Sequence, residues 1–331
     1  AAIMDLAAES SADDEIEVMA DALIEAGDSA QIVVGTTALM DANYSVLVSL
    51  ASALAGMTGA NYGRLEEANA AAAWQASFLP FSNADSAAKN AAEMLSQPLK
   101  ACLLFNVEPS QDSTTGEQAL RTLQETGMVV SISNFRSAEI EDVAHVMLPL
   151  ATIPETGGCH VNCEGKMQSW TAAVQPAGES RPGWKILRVI GNYLELDGFD
   201  YSTTESICAE TTALSKSLNS PEVYSLIDHK QGLIERVMHL PMYRTDAVTR
   251  RAQPLQLTMD NPTAVAAINP ETLSSLGIEE DRVEIGNGDN KIKITVVSDP
   301  SIPLNCVMLP TATEETAALG GANWLEVKTC A

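Results

Sequence analysis

Basic residues are scarce in this chain. Only 19 lysines and arginines stand against 44 aspartates and glutamates among 331 residues, which gives a formal charge of -25. Such a surplus of negative charge repels phosphate backbones and anionic lipid headgroups. The composition therefore argues against nucleic acid as a partner and favours a well-solvated surface.

Cysteines are few and widely spaced, so neither a disulfide scaffold nor a run of iron–sulfur ligands is indicated. The six are Cys102, Cys159, Cys163, Cys208, Cys306 and Cys330. This usage is typical of a reduced, cytoplasmic protein, and Cys102 and Cys306 fall in apolar runs where they are expected to pack as small hydrophobic residues.

Long hydrophobic runs are also missing. The longest apolar stretch, 44–59, is interrupted by serines and a glycine and is shorter than the roughly 20 residues that a membrane span needs. The chain begins Ala1-Ala2-Ile3, with no methionine and no basic signal region, which predicts a fragment of a longer protein.

Common catalytic signatures are not found. The sequence has no G-x-S-x-G, no Walker loop and no G-x-G-x-x-G after the first predicted strand, where Gly35 stands alone. Neither an α/β hydrolase nor a dinucleotide-dependent dehydrogenase is supported, and no catalytic residue is predicted.

Short β-branched runs alternate with helical patterns over the first two hundred residues. Helices are predicted at 16–27, 42–55, 85–96, 117–125, 138–143 and 183–193, and strands at 31–35, 101–105, 128–132 and 145–148. This alternation predicts an α/β fold with a doubly wound, mostly parallel sheet. The run at 31–35 is expected to be buried on both faces, and helix 183–193 to close the sheet through Trp184, Leu187, Ile190 and Leu194.

The character of the sequence changes after Pro254. Asn269-Pro270 predicts the start of a short helix that ends at Gly277. A hairpin is predicted from strands 282–285 and 291–297, with a last strand at 306–309, so this part is expected to form a small β-barrel. The predicted domains are 1–204, a partly helical connector at 205–252 with its helix around 226–238, and the barrel at 253–331.

Ligands of open parallel sheets bind at the carboxyl ends of the strands, which makes four loops candidates: 36–37, 106–110, 133–137 and 151–165. Glu155 and Glu164 flank the pair Gly157-Gly158, either as a carboxylate pair or, the interpretation we favour, as acceptors for backbone N–H groups of a turn. The cluster Cys159, His160 and Cys163 supplies part of a zinc ligand set or packs ordinarily. No second ligand pair follows at the spacing of a zinc site.

One run is specific enough to suggest a family. The stretch HVMLPLATIPETGGCHVNCEGKMQSW, 145–170, is predicted to be a strand, a turn at the two glycines and a strand. It resembles a run in the molybdopterin oxidoreductase superfamily, matching it at Glu155, Gly158, Val161, Asn162, Glu164, Gly165 and Gln168. The segment 266–310 is similar to the dinucleotide-binding domain of that superfamily, which implies a double-psi β-barrel behind the α/β domain.

Two further stretches narrow the resemblance. PAGESRPGWKILR, 176–188, and YRTDAVTRRAQPLQ, 243–256, are similar to the G subunits of bacterial NADH:quinone oxidoreductase, respiratory complex I. That likeness implies the C-terminal half of an iron–sulfur subunit, non-catalytic by itself, with no cofactor of its own and with clusters in a preceding part. It also implies other peripheral-arm subunits as partners and a cytoplasmic place against the inner membrane.

The alternative is a fragment of a catalytic molybdopterin guanine dinucleotide enzyme such as a formate dehydrogenase. The loops 106–109 and 155–162 and the barrel loop 311–324 would then line the dinucleotide site. Under the first hypothesis the resemblance implies only vestigial dinucleotide-site candidates, at Asn106, Pro109, Glu155, Asn162 and Glu164. The chain departs from the family at His145, Cys159, His160 and Lys166. A lysine at 166 cannot form the bidentate hydrogen bonds of arginine with phosphate, which implies weaker binding of a pyrophosphate here.

Overall fold

The computed structural model describes residues 14–65, 67–76, 78, 89–113, 116–213, 230, 232–261 and 263–330. They fall into two compact units, one reaching to Ala68 and the other running from Asn69 to the C-terminal strand. None of the described helices combines the length and apolar character that crossing a bilayer requires.

The first unit is a small α/β layer. Its elements are α1 Asp14–Ala26, β1 Gln31–Val34, α2 Tyr44–Thr58 and β2 Asn61–Arg64, and the two strands are parallel. β1 was predicted to be buried on both faces, which is wrong, because its residues alternate between exposed and half-buried and Val33 is 50% exposed. Within the described part of this unit β1 has one neighbouring strand, β2, so much of the strand stays accessible.

The second unit begins with a parallel sheet and its helices. These are α3 Ala70–Gln75, α4 Ala91–Leu95, β3 Cys102–Phe105, α5 Pro109–Asp112, α6 Glu117–Gln124, β4 Val129–Ser133, α7 Ala138–Val143 and β5 Val146–Pro149. The strands lie in the order β3-β4-β5. Apolar side chains from both layers form the core beneath them: Leu95, Leu104, Ala119, Leu123, Val129, Ile140 and Val143. Part of the predicted helix 85–96 lies outside the described residues.

The run 145–170 differs from its prediction. After β5 the chain makes a 3-10 turn, Ile153–Glu155, and then a hairpin of β6 Gly158–Val161 and β7 Met167–Trp170. The hairpin turn follows Val161 rather than the glycine pair. A Cβ on Gly158 would lie 2.7 Å from the Trp170 indole, so this glycine makes room for a side chain and does not form the turn.

Two helices follow the hairpin, α8 Gly183–Tyr193 and α9 Thr204–Ala213. The bounds of α8 agree with the prediction, and its first residue lies against the sheet, since a Cβ on Gly183 would meet the Phe105 ring at 2.4 Å. The predicted apolar face is buried only in part. Leu187 is 36% exposed and Leu194, just beyond the helix, is 64% exposed, so these two side chains do not close the sheet.

The remaining elements are β8 Ile234–His239, α10 Ala247–Arg251, α11 Gln253–Gln256, β9 Val265–Ile268, α12 Pro270–Ser275, β10 Arg282–Asn287, β11 Asn290–Ser298, β12 Cys306–Pro310 and β13 Trp324–Thr329. Their strands form a closed barrel in the order β10-β11-β9-β12-β8-β13. Fully buried side chains fill its centre: Ala266, Ile268, Val283, Ile285, Val307, Leu309 and Leu325. The predicted fold class, a mostly parallel α/β sheet followed by a small barrel, is confirmed.

The predicted connector contributes a barrel strand. β8 replaces the helix expected around 226–238, of which 226–229 and 231 lie outside the described residues. The alternation of this strand is hidden in the sequence because Arg236, only 6% exposed, points into the buried side, where its Nη1 donates to the Gly320 carbonyl at 2.7 Å. Barrel strands therefore begin before residue 253, while the domain boundaries themselves stay a prediction.

The cap and the hairpin of the barrel follow their predictions. The Asn269 side chain accepts a hydrogen bond from the Glu271 N–H at 2.9 Å, and Pro270 occupies the first turn of α12. β10 and β11 pair down to Asn287 and Asn290, which leaves the two-residue turn Gly288-Asp289 with a positive φ of 64° at the glycine. Two-residue turns with glycine at the first position match the natural twist of antiparallel strands.

Candidate functional site

Side chains tie together the carboxyl ends of the three parallel strands. Asn106, which follows β3 with a φ of 53°, accepts a hydrogen bond on Oδ1 from the Asn134 N–H at 3.3 Å. Asn134 follows β4, and its Nδ2 donates to the Leu150 carbonyl beyond β5 at 3.1 Å. The predicted site residue Asn106 thus lies at the sheet edge where ligands of such folds bind, with its amide oxygen already bonded.

A buried ion cluster lies just beyond β3. Glu108, 2% exposed, receives hydrogen bonds on Oε2 from Arg250 Nη2 at 2.9 Å and from Arg251 Nη1 at 3.1 Å. Arg251 Nη2 also pairs with the other carboxylate oxygen, Oε1. Arg250 Nη1 pairs with Asp112 Oδ1 at 2.8 Å. The Glu108 carboxylate therefore binds two guanidinium groups, and the Arg250 guanidinium binds two carboxylates.

One further residue, Glu139, completes this cluster, which we call the Glu108 cluster: Glu108, Asp112, Glu139, Arg250 and Arg251. Ser110 Oγ donates to Glu139 Oε2, which links α5 to α7. The Arg251 guanidinium lies over the Phe135 ring, 4.6 Å from its centroid. Because α10, which carries both arginines, stands between barrel strands β8 and β9, the cluster fastens the barrel end of this unit to its sheet.

The charges of the cluster are reflected in its acid–base properties. Burial opposes ionisation of Glu108, but hydrogen bonds from Arg251 and Arg250 outweigh it and hold the pKa of this carboxyl below its usual range. Burial raises the pKa of Glu139, and the negative charges of Glu108 and Asp112 add to that rise. The Glu139 Oε1 atom is buried without a hydrogen-bond partner. Glu108 therefore stays ionised to a lower pH than an ordinary glutamate, whereas Glu139 takes up a proton at a higher pH.

The other predicted site residues serve local structure. Pro109 is buried at the first position of α5. Glu155 accepts hydrogen bonds from the Thr152 N–H at 2.8 Å and from the Ala177 N–H at 2.9 Å, which together lower the pKa of its carboxyl. The favoured interpretation of Glu155, an acceptor for backbone N–H groups, agrees with this geometry.

Asn162 and Glu164 build the hairpin turn. Asn162 Oδ1 accepts from the Glu164 N–H at 3.1 Å and the Lys166 N–H at 2.9 Å, and Gly165 takes a positive φ of 78°. Glu164 itself is exposed at the tip of the turn. Within the described part of the chain no hydrogen bond or ion pair joins Asn162 or Glu164 to Asn106 or Pro109, and the assignment of all five residues to a dinucleotide site stays a prediction.

The cluster Cys159, His160 and Cys163 does not converge on one point. The Cys159 Sγ lies 2.8 Å from the Sγ of Cys208 in α9, the His160 ring packs 4.6 Å from the Trp170 ring, and Cys163 is exposed in the turn. Successive strand residues point to opposite faces, which separates Cys159 from His160. Across the described ranges no three His, Cys, Asp or Glu side chains are arranged to hold a metal ion.

The barrel loop predicted to face the site, 311–324, packs against the turn between α5 and α6. Gly116 has φ 53° and ψ -131°, and a Cβ there would lie 2.5 Å from the Ala317 carbonyl oxygen and 3.4 Å from the Gly320 Cα. Within the loop, Thr313 and Thr316 share a buried hydrogen bond of 2.9 Å between their hydroxyl groups. The remaining predicted loop, Thr36-Thr37, belongs to the first unit, where it begins a 3-10 turn.

Sequence reasoning missed the Glu108 cluster. The available signal was a pair of acidic residues straight after a strand, in VEPSQD, together with adjacent arginines in TRRAQ. Nothing local indicates that these segments meet, because Glu108 and Arg250 are 142 positions apart.

The described residues do not fit a pterin dinucleotide at this edge. Buried carboxylates are the natural acceptors for the N–H groups of a guanine and the hydroxyl groups of a ribose, but Glu108 and Asp112 already bind the guanidinium groups of Arg250 and Arg251. The amide oxygens of Asn106 and Asn162 are likewise bonded within the chain. A dinucleotide would have to displace these intramolecular partners.

Comparison with solved structures supports the fold. Acetylene hydratase from Pelobacter acetylenicus superposes with a TM-score of 0.50 and 14% sequence identity, covering 70% of this chain and 44% of the hydratase. At that identity the likeness concerns the fold alone.

Curated relatives match shorter stretches. The mitochondrial 78 kDa subunit of NADH-ubiquinone oxidoreductase from Neurospora crassa is 29% identical over 166 residues, 44% of this chain and 21% of the relative. A Staphylococcus aureus protein named provisionally as a formate dehydrogenase is 28% identical over 162 residues, 42% of this chain and 16% of its own length. The matched region thus spans about a fifth or less of these relatives.

A family model described as "Molybdopterin oxidoreductase" matches residues 2–193. That match covers more than half of the 331 residues and includes the parallel sheet, the hairpin and most of the Glu108 cluster. The chain therefore belongs to the molybdopterin oxidoreductase family.

Proposed function

We propose that this chain is the C-terminal scaffold half of an iron–sulfur G subunit of NADH:quinone oxidoreductase. In this role it supports electron transfer from NADH to quinone in the peripheral arm, without a cofactor of its own. The similarity to the 78 kDa subunits supports the proposal, including a stretch of 51 residues that is 43% identical to the Candida albicans subunit. Iron–sulfur clusters would belong to another part of the parent protein.

The Glu108 cluster is the observation that carries this proposal. In a dinucleotide-binding relative the edge of the sheet has to stay open to a ligand, whereas here two arginines of the chain take up the carboxylates of that edge. Breaking a buried pair by removing one partner is strongly destabilising, so the cluster holds α10 firmly. Rigid support of this kind is what a neighbouring redox site needs to keep its geometry.

The remaining parts of the proposal follow from that role. The partners are other peripheral-arm subunits of respiratory complex I, and the place is the cytoplasmic side of a bacterial inner membrane. The residues Asn106, Pro109, Glu155, Asn162 and Glu164 keep the shape of an ancestral dinucleotide site, and their side chains now serve turns and caps.

The second candidate is the C-terminal part of a catalytic molybdopterin guanine dinucleotide enzyme of the formate dehydrogenase type. The provisionally named Staphylococcus relative favours it, because its identity and matched length are close to those of the Neurospora subunit. In this case Arg250 and Arg251 would have to leave Glu108 when the dinucleotide binds.

The test uses the natural protein that carries this chain, tagged and isolated from its own host in mild detergent. We expect it to copurify with NADH:quinone oxidoreductase activity and to contain iron, with molybdenum and tungsten far below one atom per chain. One atom of molybdenum or tungsten per chain, together with formate oxidation and no NADH oxidation, would establish the second candidate instead.

A matched pair of variants tests whether assembly of the complex depends on the Glu108 cluster. Replacing Arg250 and Arg251 together by alanine is expected to lower the amount of assembled complex on a native gel. Arg121→Ala removes an arginine whose side chain is 59% exposed and is expected to leave assembly unchanged. Equal assembly in both variants would contradict a scaffold role for the cluster.

A further inference from the structure

Two cysteines from distant parts of the second unit face each other. Cys159 lies in β6 and Cys208 in the middle of α9, 49 positions later, and their sulfur atoms are 2.8 Å apart. A disulfide bond is about 2.05 Å long, so an approach of only about 0.8 Å joins the two atoms.

The backbone around Cys159 is firmly held. Cys159 pairs with Ser169 across the hairpin, and its carbonyl accepts a hydrogen bond from Asn69 Nδ2 at 3.0 Å. The Asn69 Oδ1 in turn accepts from the Val161 N–H at 3.0 Å, so one side chain caps the free edge of β6. The Cys159 sulfur therefore projects from a strand that is hydrogen-bonded along both of its edges.

The other side of the contact is held by helix α9. Thr212, one turn after Cys208, donates its hydroxyl to the Cys208 carbonyl at 2.9 Å and lies 3.3 Å from the Met167 Sδ of β7. The helix and the hairpin thus touch at a second point beside the sulfur pair. Bond formation needs no change of secondary structure.

Small molecules can reach the pair from the Cys208 side. Cys159 and Cys208 are both half-buried, and Cys208 lines a cleft of about 760 Å³ together with Gly158, Met167 and Trp170 among others, while the Cys159 sulfur lies directly against that of Cys208. A space of this size accommodates a tripeptide-sized disulfide. The remaining cysteine of the hairpin, Cys163, lies exposed in the turn.

We propose that Cys159 and Cys208 form a reversible thiol–disulfide site that reacts with disulfides of low molecular weight. One cysteine of the pair, as its thiolate, attacks one sulfur of the small disulfide, which forms a mixed disulfide and releases the first small thiolate. That thiolate takes the proton of the second cysteine. The second cysteine sulfur then attacks the first, closes the protein disulfide and releases the second small thiolate.

The electrons balance in this exchange, because two protein thiols are oxidised and one small disulfide is reduced to two thiols. Burial, followed by the hydrogen bond with Cys159, raises the pKa of Cys208 to about 12. The contact between the two sulfur atoms therefore favours the thiol form of Cys208. The product ties the hairpin that marks the family covalently to α9.

The experiment exposes the purified chain to a series of ratios of oxidised to reduced glutathione, followed by an acid quench, alkylation with N-ethylmaleimide and tandem mass spectrometry. We expect a peptide pair joined through Cys159 and Cys208 that grows with the proportion of oxidised glutathione and disappears on return to the reduced form. Cys159 and Cys163 share the tryptic peptide that ends at Lys166, so fragment ions at His160 to Asn162 are needed to assign the bridge.

Variants separate the proposed bridge from general thiol oxidation. Cys163→Ser is expected to keep the bridge, and Cys208→Ser is expected to stop at a glutathione adduct on Cys159. The wild-type chain alone suffices if a variant does not fold. Separate alkylation of Cys159 and Cys208 at every ratio, or a bridge that runs through Cys163 instead, would overturn the proposal.

Discussion

Glu108 is a carboxylate with almost no access to water, and its charge is balanced by two guanidinium groups. Replacing it by glutamine leaves Arg250 buried with only Asp112 as a charged partner and takes the carboxylate from Arg251. We expect Glu108→Gln to lower the free energy of unfolding by about 3–5 kcal/mol, measured by urea denaturation, as for other broken buried pairs.

A matched control is available on the surface. Glu117 pairs with Arg121 at 3.5 Å, and both side chains are more than half exposed. Solvent weakens such pairs, so Glu117→Gln should change the free energy of unfolding by less than about 1 kcal/mol. A Glu108→Gln variant as stable as this control would show that the cluster does not hold α10 to the sheet.

Glu139 makes the stability of the chain depend on pH in a specific direction. Its pKa is raised by burial and by the nearby carboxylates, so the folded state holds the proton to a higher pH than the unfolded state does. Stability is therefore lost as the pH rises through the folded pKa. Near pH 7 we expect Glu139→Gln, which resembles the protonated form and can still accept from Ser110, to be more stable than the wild type.

Urea denaturation over a pH series measures this effect. The advantage of Glu139→Gln should shrink as the pH falls and vanish below the unfolded pKa of glutamate, about 4.3. Glu141→Gln, two residues later on α7 and partly exposed beside Arg136, serves as the control. An advantage of Glu139→Gln that persisted at pH 3 would contradict the electrostatic explanation.

Residue roles could be predicted from sequence only where the partner is near in the chain. The glutamate at 155 was correctly expected to bind backbone N–H groups, since Thr152 lies three residues before it. The Glu108 cluster could not be predicted, because its stability depends on two segments that only the folded chain brings together. The contact of Cys159 with Cys208 was missed for the same reason.

Between elements, Gly116 sets how closely the barrel loop approaches the helices beside the sheet. Its φ of 53° with ψ of -131° suits glycine alone, and an added Cβ would collide with the Ala317 carbonyl at 2.5 Å. Both strain and collision act against Gly116→Ala. We expect the variant to lose at least about 2 kcal/mol of unfolding free energy in urea denaturation.

Gly165→Ala separates the two causes. This glycine also has a positive φ, 78°, but an added Cβ would have nothing within 4 Å. Only the backbone term then remains, about 1–2 kcal/mol. If both variants lose the same amount, the loop 317–320 yields freely and does not fix the spacing between the barrel and α6.

Elements with a clear period could be predicted, and those with mixed composition could not. α8 follows from helical spacing, and the hairpin of β10 and β11 follows from a glycine-containing turn between two apolar runs. β2 has the sequence Asn-Tyr-Gly-Arg, which carries no β-branched residue, and β8 places a buried arginine where an apolar residue would reveal its alternation. Tertiary packing determines that β2 and β8 form strands, so the β-propensity of their residues does not reveal them.

At the scale of the whole molecule, the alternation of strands and helices was enough to predict a parallel α/β sheet, and the resemblance added the barrel. The order of the barrel strands could not be deduced from either. β8 pairs in parallel with β12 and antiparallel with β13, and those partners come after β9, β10 and β11 in the chain. Registers between such distant segments have no signature in the local sequence.

The position of β13 has a consequence for biosynthesis. β13 pairs with β10 on one side and with β8 on the other, so it is the strand that closes the ring. While a ribosome is still adding Trp324–Thr329, β8 and β10 both present unpaired N–H and C=O groups, and such edges recruit other strands. We therefore expect the nascent barrel to pass through an open, aggregation-prone stage that ends only when β13 has left the exit tunnel.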